Sequence, residues 1–175
     1  MCQIENLLFL LIHAMIKEKT EVMNMTRAEQ AAKLFMEGAN CAQAVALAFC
    51  DLTGLDETTT AKMASSFGGG MGRMREVCGA VSGMLLITGI LYGYTEDVHN
   101  AKLNHYVLVQ DLAGKFREKV GSIVCREILK NPPSDPVPSP RTEEYYAKRP
   151  CVRMVYTAAS ILEEYISAHP VKKDN

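Results

Sequence analysis

Cysteines are the residues of this sequence best suited to chemistry, and of its six cysteines four occupy similar local positions. One follows an asparagine that can cap a helix, one follows a glycine-rich stretch, one lies near the start of a short predicted helix and one follows a proline: Cys41, Cys78, Cys125 and Cys151. A helix N-terminus offers free N–H groups and a partial positive charge. Both stabilise a thiolate, which is the form of cysteine that attacks disulfides and binds metals. The pattern therefore predicts that four helix starts could converge on one site.

Buried packing is the alternative for each of these residues, because a free cysteine often fills a core without reacting. Cys50 lies inside a predicted helix beside Phe49, and we interpret it as core filler. Cys2 belongs to the uncertain N-terminal segment. Four thiols at helix starts could be redox pairs, ligands of one metal centre or core residues, and the spacing alone leaves these readings open.

Glycines surround the second of these cysteines. The stretch "FGGGMGR", residues 67–73, lacks the Gly-Lys-Ser/Thr ending of a phosphate-binding loop and follows no predicted strand, so no nucleotide is expected. Its N–H groups could instead line an anion or a cluster sulfur, and a small-residue face would let a neighbouring helix approach. The glycines predicted to do so are Gly68, Gly69, Gly70, Gly79 and Gly83. Arg73 and Arg75 either lower nearby thiol pKa values or are solvated surface residues.

Helical periodicity covers most of the chain, and no segment alternates convincingly with period two. Helices are predicted over residues 3–18, 27–38, 40–54, 56–67, 76–92, 95–121, 122–130 and 150–168. Five prolines among residues 132–140 indicate an extended surface loop. The prediction is an all-α, single-domain helical bundle of about seven or eight helices with a Pro-rich surface loop.

The N-terminal boundary of this domain is marked by a capping box. Thr26 and Glu29 have the required spacing and open a helix immediately after Met25. Residues 1–24 are therefore either an extension, from a misassigned start, or an additional helix packed on the body. The helical domain is predicted over residues 25–168, with a frayed tail at 169–175.

Composition excludes several classes of function. The chain has 175 residues and a net charge of −1, so nucleic acid binding is not expected. The apolar run at residues 7–16 is too short for a membrane span and lacks the basic flank of a signal peptide. We therefore expect a cytoplasmic protein, in which cysteines favour redox chemistry or metal binding over structural disulfides. The sequence has no Cys-x-x-Cys-His motif, so haem is not implied.

Four stretches together resemble one family: "GANCAQAV", "FGGGMGRMREVCGAVSG", "CREIL" and "RPCVRMVYTAASIL". This combination is similar to the C-GCAxxG-C-C family, whose small bacterial and archaeal members are regarded as redox-active. The family's Cys-Gly-Ala-x-x-Gly core corresponds to residues 78–83, and its other cysteines correspond to Cys41, Cys125 and Cys151. The resemblance spans about residues 26–166. Genes of the family often lie near transporter genes, which implies an unknown redox partner or a transporter as partner.

Two functions follow as hypotheses. In the first, the protein is redox-active or transfers electrons, and its four remote cysteines form thiol–disulfide pairs or ligate an iron–sulfur cluster. In the second, the same cysteines bind zinc or another metal in a non-catalytic accessory module linked to a transporter. Neither the oligomeric state nor a substrate follows from the sequence.

Overall fold

The computed structural model describes residues 25–96 and 98–171, and this part of the chain is helical and contains no strand. Its helices are α1 (Arg27–Met36), α2 (Cys41–Leu47), α3 (Cys50–Thr53), α4 (Glu57–Ala64), α5 (Gly79–Tyr92), α6 (Ala101–Val120), α7 (Cys125–Ile128), α8 (Glu143–Lys148) and α9 (Cys151–Ala168). The predicted all-α, single-domain bundle is confirmed. No helix in the described part is both long and apolar enough to cross a bilayer.

Helix α5 lies at the centre because it is apolar on nearly every side, so only a fully surrounded position buries it. It packs on α2, α9 and α6, while α9 also packs along α1. The largest fully buried side chains form one core between and beside these helices: Phe35, Phe49, Met84, Ile87, Leu112, Phe116, Met154 and Leu162. This shared core therefore fixes the positions of the starts of α2, α5 and α9 relative to one another.

Local chemistry fixes most helix starts where the sequence predicts them. Thr26 and Glu29 form a reciprocal capping box at α1. Asn40 accepts hydrogen bonds from two backbone N–H groups of α2, and Gln43 reaches back to the Asn40 N–H. Asp56 caps α4 in the same way. Such caps satisfy N–H groups that the helix itself leaves unbonded.

Several predicted helices are shorter in the structure, and three of them differ most. The helix predicted over 40–54 is interrupted at Phe49, whose φ of −118° and ψ of 9° leave the helical region. The helix predicted over 95–121 begins only at Ala101, because His99 and Asn100 both have positive φ. The segment predicted as a helix over 122–130 forms only the single turn α7. Helix α8 was not predicted, although Thr142 caps it.

The N-terminal prediction lies outside the described residues. The alternatives for residues 1–24, an extension or an additional helix, therefore stay predictions, and so does most of the predicted tail.

Candidate functional site

Two extended segments bring Cys78 and Cys125 together. The Cys78 N–H donates to the Ile123 carbonyl oxygen at 2.8 Å, and the Cys125 N–H donates to the Glu76 carbonyl oxygen at 2.7 Å. Between them, Val77 and Val124 form an isolated antiparallel bridge. Helix α5 was predicted to begin at residue 76, but this pairing holds residues 76–78 extended. Cys78 is therefore the N-cap residue of α5, whereas Cys125 is the first residue of α7.

A tight turn at residues 68–72, here called the glycine turn, passes beside these two cysteines. Gly69, Gly70 and Gly72 have φ of 65°, 74° and 58°, a region that glycine enters without steric penalty. A Cβ on Gly70 would lie 2.7 Å from the Cβ of Cys125. A Cβ on Gly68 would lie 2.7 Å from the side chain of Asn40. The absence of side chains in the glycine turn thus lets the starts of α2 and α7 both pack directly against this turn.

Two glycines of α5 allow a similarly close approach between α5 and α2. A Cβ on Gly79 would lie 2.8 Å from the Phe67 carbonyl oxygen and 3.1 Å from the Cβ of Cys41. A Cβ on Gly83 would lie 2.5 Å from the Ala42 carbonyl oxygen. Of the five predicted glycines, Gly83 alone does not line the cavity described next. Their binding role stays a prediction.

A cavity of about 280 Å³ is lined by all four cysteines that the sequence singles out: Cys41, Cys78, Cys125 and Cys151. Each stands at the start of a helix, as the first residue of α2, α7 and α9 and as the N-cap of α5. Cys50 lies elsewhere, buried against the Leu55 carbonyl oxygen and the Thr60 hydroxyl. The fold therefore brings the four residues together and leaves Cys50 out.

Cys41 and Cys151 both line this cavity, and each affects the pKa of the other. The hydrogen bond from the Cys41 thiol lowers the pKa of Cys151 to about 7, and the charges of Arg149, Arg141 and Arg75 act in the same direction. The same hydrogen bond and burial raise the pKa of Cys41 well above its usual value. At pH 7 about half of the Cys151 side chains are therefore thiolates, whereas Cys41 stays a thiol.

The other two cysteines are held as thiols. Burial raises the pKa of Cys78 to about 12, although the free N–H groups at the start of α5 oppose the rise. Burial also raises the pKa of Cys125, and here the guanidinium of Arg75 opposes it. The helix-start argument from sequence thus holds in direction for Cys78, but desolvation outweighs the helix N-terminus there.

Arginines and the Pro-rich loop complete the wall of the cavity. Pro136, Pro138 and Ser139 line it, so this loop covers the cysteines. Arg73 holds the loop by an ion pair with Asp135, and Arg75 donates from Nε to the Pro133 carbonyl oxygen at 2.9 Å. The sequence prediction of a surface loop missed this contact with the cysteine site.

Two further arginines were missed by sequence reasoning. Arg141 donates to the carbonyl oxygens of Phe35 and Ala39, and its guanidinium lies over the Phe35 ring. Arg149 stacks on Tyr145 with 4.9 Å between guanidinium and ring centroid. The position of Arg149, two residues before Cys151, is the one local signal that could have indicated its role.

Metal binding requires several donor side chains that are arranged around one point. Within residues 25–96 and 98–171, no group of three or more His, Cys, Asp or Glu side chains is disposed to hold a metal ion. The four cysteines share a cavity without forming such a group. Ligation by these residues stays a prediction.

The low pKa of Cys151 predicts how its reactivity depends on pH. Because a lowered pKa means that the thiolate persists down to about pH 7, alkylation by iodoacetamide should be half-maximal near that pH. Cys41→Ala removes the hydrogen-bond donor and should slow alkylation at pH 7 by about tenfold, since an ordinary thiol titrates near 8.5. Mass spectrometry of the Cys151 peptide measures the rate.

Cys41→Ser is the matched control for this measurement, because the serine hydroxyl can still donate to the Cys151 sulfur. Its pH profile should stay close to that of the unmodified protein. Equal profiles for Cys41→Ala and the unmodified protein would contradict the hydrogen-bonded pair.

Comparison with known proteins identifies a family for this chain. No curated protein and no solved structure matches the chain. A family model described as "Putative redox-active protein (C_GCAxxG_C_C)" matches residues 39–165, a range that contains all four cavity cysteines. The match covers more than half of the sequence, and the chain therefore belongs to the C_GCAxxG_C_C family.

Proposed function

We propose that this protein exchanges thiols and disulfides, with Cys151 as the attacking thiolate and Cys41 as the resolving thiol. The observation that carries the proposal is that both cysteines begin helices in the wall of one cavity, where each shifts the pKa of the other. A disulfide needs its sulfurs about 2 Å apart, and the mutual pKa shifts of Cys41 and Cys151 are evidence that their side chains are neighbours. The redox activity ascribed to the family supports the same chemistry.

The reaction balances in two steps. The Cys151 thiolate attacks one sulfur of a substrate disulfide, forming a mixed disulfide and releasing the other half as a thiolate. Cys41 then loses its proton and attacks the Cys151 sulfur, which forms the Cys41–Cys151 disulfide and releases the second thiolate. The substrate gains two electrons, the protein loses two, and an external thiol returns the protein to its reduced state.

The environment of the pair suits this sequence of steps. A thiolate with a pKa near the working pH combines a large charged fraction with good nucleophilicity. Cys41 holds its proton until its partner becomes a mixed disulfide, because the hydrogen bond and burial both favour its thiol. Once the negative charge on Cys151 is gone, the nearby arginines favour the ionisation of Cys41.

The experiment maps the disulfide formed by the reduced protein. After purification without oxygen, the protein is oxidised with diamide, free thiols are alkylated and peptides are identified by mass spectrometry. We expect one bond, between Cys41 and Cys151, with Cys50 free. Iron, zinc and acid-labile sulfide are measured on the same sample.

Two results would contradict the proposal. In one, Cys41 and Cys151 both remain alkylatable after oxidation. In the other, the purified protein holds stoichiometric iron with sulfide, or zinc, that protects all four cavity cysteines from alkylation, which would favour the metal hypotheses from the sequence.

A further inference from the structure

The cysteine cavity is positively charged, and this charge is not balanced by its walls. Four arginines line it and no aspartate, glutamate, lysine or histidine of the described chain does so: Arg73, Arg75, Arg141 and Arg149. Among the described residues, Arg73 is the member of this set that pairs with a carboxylate, that of Asp135. The other three guanidinium groups meet the cavity with no carboxylate beside them, and the single thiolate of Cys151 balances only part of their charge.

Arg75 is the most unusual of these residues. It is only 3% exposed, and its φ of 64° lies in the left-handed region that a long side chain rarely adopts. Nε donates to the Pro133 carbonyl oxygen and Nη1 to the Gly69 carbonyl oxygen. The guanidinium also lies near the Cys125 thiol, whereas Nη2 has no hydrogen-bond partner in the described part of the chain. Leaving a buried donor of a charged group unpaired is unfavourable, so the site is complete only with an acceptor.

The rest of the wall limits the size and character of that acceptor. A volume of about 280 Å³ lies just below the roughly 300–1,000 Å³ of pockets for drug-sized ligands. Apolar side chains line part of the remainder, beside Asn40, Ser65, Ser139 and Tyr145: Ile128, Leu129, Pro136, Pro138 and Met154. Cys151 is 8% exposed, so a reagent reaches its sulfur through this cavity. The space suits a small molecule with an anionic end and an apolar middle.

We propose that the substrate of the exchange is a negatively charged, low-molecular-weight disulfide, whose anionic group is bound by Nη2 of Arg75 with support from Arg149. This inference rests on the proposed function for its reaction, whereas the anion site rests on the cavity and Arg75 alone. With a symmetric substrate, Cys151 bonds to one half and the other half leaves as an anionic thiolate. Attack by Cys41 then releases the bound half, so two anionic thiols result from each protein disulfide.

The test compares three small disulfides that differ in charge and little in size. Dithiodipropionate is anionic, bis(hydroxyethyl) disulfide is neutral and cystamine is cationic. The reduced protein should react with dithiodipropionate at least about tenfold faster than with cystamine, each rate being divided by that of the same disulfide with a free thiol. Arg75→Gln should reduce this preference by about tenfold.

A ratio of rates is the right readout because Arg75 also affects the charge of the thiols. Any loss of thiolate slows all three disulfides equally and cancels. Arg117→Gln, an exposed position on α6, makes the same change in net charge outside the cavity and should keep the preference. Arg149→Gln is the second cavity variant, and it keeps the test valid if Arg75→Gln does not fold.

Binding without reaction separates the anion site from the redox function. Suberate has the two carboxylates of dithiodipropionate but carbon in place of sulfur. Calorimetry should show that it binds the unmodified protein and Arg117→Gln, and at least about tenfold more weakly Arg75→Gln.

Each outcome decides one claim. Equal rates for the anionic and cationic disulfides, together with no binding of suberate, would overturn the inference and leave thiol–disulfide exchange standing. Binding of suberate without reaction of any disulfide would support the anion site and overturn the proposed function. A charge preference that survives in both Arg75→Gln and Arg149→Gln would show that these arginines do not bind the anion.

Discussion

Cys151→Ser is expected to abolish the reaction of the reduced protein with a disulfide, whereas Cys50→Ser leaves its rate unchanged. Serine has no thiolate at neutral pH, so the attacking atom is lost. Cys78 cannot replace it, because a thiol with a pKa of about 12 is ionised to about one part in 10⁵ at pH 7. The rate should therefore fall by more than about 100-fold.

Cys41→Ser should give a different and more informative result. Its hydroxyl can still donate a hydrogen bond to the Cys151 thiolate, so the first attack proceeds. The resolving sulfur is missing, however, and the mixed disulfide between Cys151 and half of the substrate should accumulate. Intact-mass spectrometry detects this adduct as an added mass on one cysteine, and peptide mapping locates it.

Cys78→Ser and Cys125→Ser complete the series. Both residues line the cavity, and burial holds both as thiols, so we expect the first attack to continue in either variant. Loss of exchange in Cys78→Ser equal to that in Cys151→Ser would show that the four cysteines act as one unit, as a cluster would require. An unchanged rate in Cys151→Ser would contradict the assignment of the attacking residue.

The sequence predicts the helix starts well because capping depends on neighbouring residues. Thr26, Asn40 and Asp56 each lie within three residues of the N–H groups they accept from. The sequence also indicates which cysteines share the site, since all four follow helix-start signals. It could not show that Cys41 contacts Cys151, because that contact depends on how α2 and α9 cross.

The charge of the site was harder to predict for a related reason. An arginine beside a glycine-rich stretch is usually solvated, and nothing local shows that Arg75 is buried. Its burial follows from the Pro-rich loop, which folds back so that the Pro133 carbonyl oxygen meets Nε. Arg141 likewise acts through distant partners on α1 and its C-terminal connection. Long-range packing therefore determines the electrostatics of a site whose cysteines are locally encoded.

Gly83→Ala is expected to destabilise the fold strongly, while Gly89→Ala in the same helix stabilises it. A methyl group on Gly83 would lie 2.5 Å from the Ala42 carbonyl oxygen and 3.0 Å from the Ala42 Cα, both parts of the α2 backbone. Backbone atoms cannot rotate away, so α5 and α2 must separate. Overpacking of this kind reduces the free energy of unfolding by about 3 kcal/mol.

Gly89 provides the control because a Cβ there would meet nothing within 4 Å. Its backbone is helical, so alanine reduces the entropy of the unfolded chain and should add about 0.5–1 kcal/mol to the free energy of unfolding. Urea unfolding followed by circular dichroism measures both changes. Equal midpoints for the two variants would contradict the close approach of α5 and α2.

The same displacement should reach the cysteine site. Gly83 lies one turn from Gly79, whose own Cβ position is 3.1 Å from the Cβ of Cys41. Separating α5 from α2 therefore moves Cys41 relative to the rest of the cavity. Under conditions where Gly83→Ala remains folded, the yield of the Cys41–Cys151 disulfide should fall, whereas Gly89→Ala should keep the full yield. A full yield in Gly83→Ala would mean that this helix contact does not position the reacting pair.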